Sequence, residues 1–300
     1  MTEVFSAEEI KMEEMIERLK RFEPELEDLI ERALREDIGK GDITTHLVVG
    51  EGGKARGTIL AEEKSVLCGL YLVRRVFEKL DPGAKFHSSL KDGDEVDSGK
   101  IVAEIEAKAG AILTGERLSL NFLQQLSGIS TYTRRFVKAV EGTGVKIAAT
   151  RKTVPGLRGL QKYAVETGGG ITHRMRLDDG ILIKDNHLAL CGDIAEAVRK
   201  AKAGAPKGMK VEVEVESLGE LHRGLDAGAD IILLDNMNLE KLKEAVRINA
   251  KRAILEASGG VKLENARAIA QSGVDIISVG ALTHSAPSVH FTMKIKPLNE

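Results

Sequence analysis

The chain has 300 residues, a formal net charge of −2 and 30% charged side chains. This balance argues against a nucleic-acid binder, which would show a basic face or tail, and three Tyr, seven Phe and no Trp leave few rings for base stacking. Cys68 and Cys191 have no metal-binding spacing, no apolar run reaches membrane-spanning length, and the acidic N-terminus is unlike a signal peptide. We therefore expect a soluble cytoplasmic protein with one large or two ordinary domains.

The first forty residues carry two helix signals. Ser6 and Glu9 fit a capping box, and apolar residues at helical spacing predict a helix over residues 7–22. Pro24 suits the start of a second helix, which ends before Gly39.

Residues 55–113 have a different texture, with short apolar runs separated by Asp-Gly and Ser-Gly turns. These runs predict strands over residues 55–61, 65–70 and 101–107, with a helix inserted at 71–80. The region 114–140 then has helical periodicity, and we expect Gly128 to break that helix into two pieces.

Beyond residue 140, strand-like runs alternate with helices. Six strands are predicted, at Val145–Thr150, Gly180–Ile183, Val211–Val215, Asp230–Leu234, Ala253–Glu256 and Asp275–Val279. The last four begin about twenty residues apart, the spacing of repeated βα units, which predicts a parallel sheet. Because a full eightfold barrel typically needs ~250 residues, we expect a shortened or open α/β barrel.

The stretch from Arg151 to His187 is locally basic, with seven Lys or Arg against four acids. These cations are Arg151, Lys152, Arg158, Lys162, Arg174, Arg176 and Lys184. They lie irregularly around a Gly run, without the alternation of an exposed salt-bridged helix. A solvated basic loop is one interpretation, but cations directly after strand-like runs favour a pocket for a small molecule with several negative charges.

Acidic residues also cluster at predicted strand ends, where an α/β barrel carries its chemistry. The period of two places Glu212, Glu214 and Glu216 on one face of the third strand. We expect at least one of them to be solvated, while burial of Glu214 is left open. Asp235, after the fourth strand, either caps the next helix or faces the site.

The last two strands end in small residues that precede helices, at 257–260 and 279–281. Such turns form phosphate cradles, because free backbone N–H groups face the anion. Carboxylates beside a phosphate would repel it unless magnesium or ribose hydroxyls intervene. The sequence therefore predicts a pyrophosphorylated sugar phosphate as one ligand and a second anion as the other.

Long motifs run through the chain in order: ALREDIGKGDITT, LTGERLSLNFLQQLSGIST, TRKTVPGLRGLQKYAVETGGG, HRMRLDDGILIKDNH, VEVEVES, LLDN, EASGG and SVGALTHS. With these motifs the chain resembles the quinolinate phosphoribosyltransferase family, the decarboxylating nicotinate-nucleotide pyrophosphorylases. The resemblance implies an N-terminal open α/β sandwich over residues 1–127 and an incomplete α/β barrel with the active site over 128–284. A tail, 285–300, would pack back on the sandwich. The implied reaction transfers phosphoribosyl from PRPP to quinolinate with loss of CO2, giving nicotinate mononucleotide and pyrophosphate in NAD biosynthesis.

The resemblance also assigns residues to the two substrates. The substrate-binding set for quinolinate and its surroundings would be Thr150, Arg151, Lys152, His173, Arg174 and Lys184. The cradle of the PRPP 5-phosphate would be Ser258, Gly259, Gly260, Val279, Gly280 and Ala281. Arg117 would be lent by the other subunit of a homodimer or larger homo-oligomer.

Four residues would be catalytic on the same grounds. Glu214 and Asp235 would face the ribose and Mg²⁺ and would stabilise positive charge at the ribose C1. Lys152 or Lys184 would supply the proton that replaces the lost carboxylate.

Other functions are compatible with a barrel of this kind. Lys184 could form a Schiff base in an aldolase that acts on a sugar phosphate. A metabolite-binding protein without turnover is a further alternative. Within the family, some relatives use nicotinate and others are molybdenum-associated proteins, but the number of cations favours a dicarboxylate.

Overall fold

A computed structural model describes residues 16–22, 25–50 and 52–298, which form two compact units. The first unit comprises the described residues up to Tyr132, the segment Gly159–Gly168 and the described residues from Ala286 onward. The second comprises Thr133–Arg158 and Gly169–Ser285. The predicted capping box at Ser6 and the predicted helix start at Pro24 lie outside the described residues.

The first unit is built on a four-stranded antiparallel sheet with the order β13-β1-β5-β3. Its strands are β1 (Lys54–Ala61), β3 (Lys85–His87), β5 (Ile101–Lys108) and β13 (Phe291–Pro297), while β2 (Ser65–Val66) pairs with β4 (Glu95–Val96). Alternate residues of β1 are buried, in agreement with the period of two. The short strands β3 and β4 were not predicted, because two or three residues carry too little periodicity.

The first unit also contains helices. They are α1 (residues 16–22), α2 (Leu26–Ile38), α3 (Ile43–Val48), α4 (Leu70–Leu80), α6 (Arg158–Thr167) and most of α5 (Ala109–Ala139). Helix α6 lies in the first unit, although its residues fall inside the range that the sequence assigns to the barrel. Asp42 caps the unpredicted helix α3, since its side chain accepts a hydrogen bond from the Thr45 N–H.

The prediction that Gly128 divides a helix in two is wrong, because α5 runs unbroken from Ala109 to Ala139. A Cβ at residue 128 would collide with the Pro287 carbonyl oxygen and would lie 2.9 Å from Cα of Ser288. Gly128 therefore serves close packing of another segment against the helix. A single interior Gly costs a helix only about 1 kcal/mol, which tertiary packing can offset.

The second unit is an open α/β barrel made of one seven-stranded parallel sheet, with the order β7-β6-β12-β11-β10-β9-β8. Its strands are β6 (Lys146–Ala149), β7 (Ile171–Thr172), β8 (Ile181–Ile183), β9 (Val211–Val215), β10 (Ile231–Asp235), β11 (Ile254–Ser258) and β12 (Ile276–Ser278). The predicted fold class is confirmed, but the barrel has seven strands instead of six. The additional strand, β7, has only two residues and follows the Gly run directly.

Helices lie between barrel strands, and a final one follows the last strand, β12. They are α7 (Asp185–Cys191), α8 (Ile194–Gly204), α9 (Leu218–Asp226), α10 (Leu239–Asn249), α11 (Leu263–Ala270) and α12 (Ala281–His284). Asp193, Ser217 and Asn238 cap three of them with side-chain oxygens. Because all strands are parallel, their carboxyl ends and the turns that follow meet at one edge of the sheet.

Within the described ranges, none of the helices combines the length and the apolar character that crossing a membrane requires.

Candidate active site

A cavity of about 630 Å³ opens at the carboxyl ends of the barrel strands. The predicted site residues that line it are Thr150, Arg151, Lys152, His173, Arg174, Lys184, Glu214, Asp235, Ser258, Gly259, Gly260, Val279, Gly280 and Ala281. These residues lie on loops or strand ends far apart in sequence, and the parallel sheet brings them together. Arg117 lies elsewhere, with an exposed side chain on α5 in the first unit.

A larger cavity, about 1080 Å³, lies at the opposite ends of the strands. Its acids have structural partners: Asp230 accepts from the N–H of Val211, and Asp275 accepts from the N–H of Leu255. Both carboxylates therefore satisfy N–H groups near the start of neighbouring strands. We assign the chemistry to the smaller cavity, where charged groups converge.

One wall of the smaller cavity is cationic. Nε of Arg151 is buried and has no hydrogen-bond partner among the described residues. Burial, and then the charge of Arg151, lower the pKa of the Arg174 guanidinium. Arg174 also donates through Nη1 to the Gly180 carbonyl at 3.0 Å, which fixes its direction. Two guanidinium groups that line the same cavity are suited to an anion with paired oxygens.

The basic stretch does not line the cavity as a whole, and this part of the expectation is corrected. Arg158 donates to Thr153 and to the Met175 carbonyl, and Arg176 is exposed beside Asp178. Lys162 is fully buried on α6 in the first unit. Periodicity could not separate these cations from the others, because they lie on different elements whose positions are set by the fold.

An ion pair joins Lys184 to a carboxylate of the strand β9. Nζ of Lys184 donates to Oε2 of Glu214 at 2.7 Å, and Glu214 is only 8% exposed. Glu212 is also buried, whereas Glu216 lies beyond the strand end and is exposed. The buried role of Glu214, which the sequence left open, is thus present in the structure together with a cationic partner.

Asp235 ends β10 and pairs in register with Ser258 of β11. Its carboxylate accepts a hydrogen bond from Nδ2 of Asn236 at 2.6 Å. The side chain that caps the following helix is that of Asn238. Asp235 is therefore available to the cavity, which resolves the alternative of a helix cap.

The two glycine turns have the geometry of a cradle. Gly259 and Gly260 have φ values of 88° and 59°, which favour glycine. A Cβ on Gly259 would lie 2.9 Å from the backbone nitrogen of Asn236, and a Cβ on Gly280 would lie 3.0 Å from Cδ of Lys152. A larger residue would thus press on Asn236, next to Asp235, or on Lys152 of the cavity lining.

A cluster of four residues was missed as a unit by the sequence prediction. We call it the His173 cluster; its members are His173, Glu212, Glu256 and Ser278. Nε2 of His173 lies 2.8 Å from Oε2 of Glu212 and 3.9 Å from Oε2 of Glu256. Burial, and then the charge of Glu212, raise the pKa of Glu256 to about 7. A signal existed in the period of two, since Glu212 and Glu256 precede Glu214 and Ser258 by two residues.

The fold and the cavity define an open α/β barrel with a strand-end site lined by cationic side chains, carboxylates and glycine turns. Two family models match the chain: the N-terminal domain of quinolinate phosphoribosyl transferase over residues 42–127 and its C-terminal domain over 129–294. The chain belongs to the quinolinate phosphoribosyltransferase family.

Individual relatives cover nearly the whole chain. The probable nicotinate-nucleotide pyrophosphorylase (carboxylating) of Bacillus subtilis is 41% identical over 92% of this chain and 95% of its own length. The nicotinate-nucleotide pyrophosphorylase (carboxylating) of Mycobacterium leprae is 44% identical over 86% of this chain and 93% of its own. The crystal structure of NadC from Streptococcus pyogenes has a TM-score of 0.88 and 42% identity, covering 91% of this chain and 97% of that one.

Proposed function

We propose that this protein transfers the phosphoribosyl group of PRPP to quinolinate, with loss of CO2, in NAD biosynthesis. The observation that carries the proposal is the pairing of Arg151 and Arg174 in the same cavity as the turns at Gly259 and Gly280. A dicarboxylate suits the guanidinium pair, and a phosphate suits the glycine turns. Membership of the family supports the same reaction.

The residues present fit magnesium as a cofactor. Glu214 and Asp235 offer carboxylate oxygens at neighbouring strand ends, and Mg²⁺ is commonly bound through one or two carboxylates together with substrate phosphates. When bound, Mg²⁺ would neutralise charge on the departing pyrophosphate. The 2.7 Å bond from Lys184 to Glu214 would hold one of these carboxylates in place.

The chemistry of the chain's own residues follows from their positions. The cationic wall orients quinolinate so that its ring nitrogen faces the ribose C1, and Glu214 and Asp235 stabilise positive charge that develops there. The nitrogen forms the new bond to C1 as the bond to pyrophosphate breaks. The resulting pyridinium accepts the electron pair left when the C2 carboxylate departs as CO2, and a proton from Lys152 or Lys184 then completes C2.

The first test is direct measurement of both products. Purified protein with quinolinate, PRPP and Mg²⁺ should release CO2 and pyrophosphate in equal amounts, with nicotinate as the parallel substrate. Pyrophosphate released with nicotinate alone would retain the PRPP site and reject the dicarboxylate. Binding without product would favour a metabolite-binding protein, and trapping of an imine on Lys184 by borohydride would favour an aldolase.

A shared active site in a homodimer is part of the proposal. Arg117 is exposed one turn after Thr114, whose hydroxyl donates to Asp42 at the start of α3. Helix α3 exposes Ile43, Leu47 and Val48 by more than 70% each. An exposed apolar face beside an exposed Arg is typical of a subunit interface, and Arg117 would extend from it to a neighbour's site.

Complementation tests the shared site. Arg117→Ala and Lys184→Ala should each be inactive alone, while mixed and exchanged subunits should recover activity because one site per dimer is intact. No recovery in verified heterodimers would reject the contribution in trans. Cytoplasmic location also stays a prediction, which fractionation of the host cell would test.

A further inference from the structure

The His173 cluster spans the interior of the open barrel. His173 follows β7, one edge of the seven-stranded sheet, and Glu212 lies on β9, next to the other edge strand β8. The 2.8 Å bond between them therefore links the two sides of the opening. Glu256 of β11 and Ser278 of β12 lie on neighbouring strands in the middle of the sheet and are hydrogen-bonded to each other.

The hydrogen bonds define the state of the His173 ring. The backbone N–H of Arg174 donates to Nδ1 of His173 at 2.9 Å, so Nδ1 is an acceptor and carries no proton. The ring proton is then on Nε2, which donates to Glu212. Because this bond fixes the ring and the ring in turn receives the Arg174 N–H, Glu212 orients His173 and, through it, the backbone of Arg174.

Glu212 and Glu256 are too deeply buried to act as solvated acids, with 2% exposure each. Oε1 of Glu212 has no hydrogen-bond partner in the described part of the chain, so Oε2 is the oxygen committed to the ring. A buried carboxylate with a single hydrogen bond lowers the stability of the fold, because one bond offsets little of its desolvation. The presence of Glu212 here therefore indicates that its bond to His173 serves the site.

We propose that Glu212, supported by Glu256 and Ser278, is a positioning residue that sets the affinity of the site for the dicarboxylate substrate through His173 and Arg174. This inference rests on the proposed function, since it concerns the binding of quinolinate. It requires that loss of the bond to Nε2 weaken quinolinate binding and leave the PRPP cradle, on β11 and β12, unaffected.

Two variants separate the hydrogen bond from the packing. Glu212→Gln keeps the length and an oxygen acceptor for Nε2, whereas Glu212→Met keeps the length without one. We expect the Met variant to raise KM for quinolinate roughly tenfold or more, as loss of one buried hydrogen bond implies, and to leave KM for PRPP within about twofold. The Gln variant should remain within about threefold of the wild type for both substrates. Glu216→Gln, at the exposed end of the same strand segment, is the matched control.

A second readout does not depend on activity. Nitrogen-15 spectra of histidine-labelled protein, with His173→Gln to assign the signal, should show the Nε2–H tautomer in the wild type and the Gln variant. The Met variant should lose the hydrogen-bonded, slowly exchanging Nε2–H proton signal, because Met offers no acceptor to Nε2.

The outcomes discriminate between the two proposals. An unchanged KM for quinolinate in the Met variant, or equal increases in both KM values together with a lowered thermal midpoint, would overturn the positioning role. If the wild type itself releases no CO2 from quinolinate and PRPP, the proposed function fails. The nitrogen-15 spectra then still test whether Glu212 orients the His173 ring.

Discussion

Replacement of Glu256 by Gln should remove a pH-dependent loss of stability from the barrel. The carboxyl group is 2% exposed, and its pKa is raised from 4.5 to about 7 by burial and by the charge of Glu212. The folded state therefore binds the proton more tightly than the unfolded chain does. The stabilisation from this group is complete below the unfolded pKa of 4.5 and is lost as the pH rises through the folded pKa of about 7.

The magnitude follows from the shift. At ~1.4 kcal/mol per pKa unit, the wild type should lose about 3 kcal/mol of unfolding free energy between these pH values through this one group. Gln cannot ionise, and its carbonyl can still accept a hydrogen bond from Ser278. Glu256→Gln should therefore unfold with a flatter pH dependence and should gain stability relative to the wild type above neutral pH.

Urea unfolding at a series of pH values from about 5 to about 8 measures both slopes. Glu264→Gln, which changes an exposed acid on α11, is the control and should keep the wild-type slope. The same pH dependence in Glu256→Gln as in the wild type would refute the assignment of a raised pKa to this carboxyl group.

Three further predictions concern the site and the fold. Lys184→Ala should lower turnover by ~10²–10³, because an oriented charge and the partner of Glu214 are lost. The control Lys200→Ala, at an exposed helix position, should keep its turnover, and near-normal turnover of Lys184→Ala would contradict the role of Lys184. Gly259→Ala should raise KM for PRPP about tenfold, since φ is 88° and the new Cβ meets Asn236. An unchanged KM in steady-state kinetics would reject the assignment of this turn to the PRPP phosphate. Gly128→Ala should destabilise the first unit by about 1–3 kcal/mol despite a better helix propensity, and a higher thermal midpoint would show that the Pro287 segment can move.

Several elements could be predicted from local patterns. Strand β10 has an apolar run, strand β9 has regular alternation of Val and Glu, and Ser217 caps the helix that follows β9. Glu214 and Asp235 could be placed at strand ends for the same reason. In contrast, β7 has two residues, and no local pattern distinguishes it from the adjoining loop.

Helix α5 shows where a local pattern misleads. Gly128 has a poor helix propensity, but its effect depends on residues 287–288, which lie far away in sequence. The same limit applies to the basic stretch. Arg151 and Lys162 belong to the same basic stretch, yet Arg151 lines the cavity and Lys162 is buried in a different unit.

The sequence by itself determined the barrel class and the polar residues at its strand ends, because periodicity, turn residues and charge are local properties. Only the tertiary structure decided which cations converge and how the acids are partnered. The pairing of His173 with Glu212 joins residues 39 positions apart across an open barrel. Such a contact depends on the curvature of the whole sheet, and burial then converts an ordinary glutamate such as Glu256 into a group that holds its proton near neutral pH.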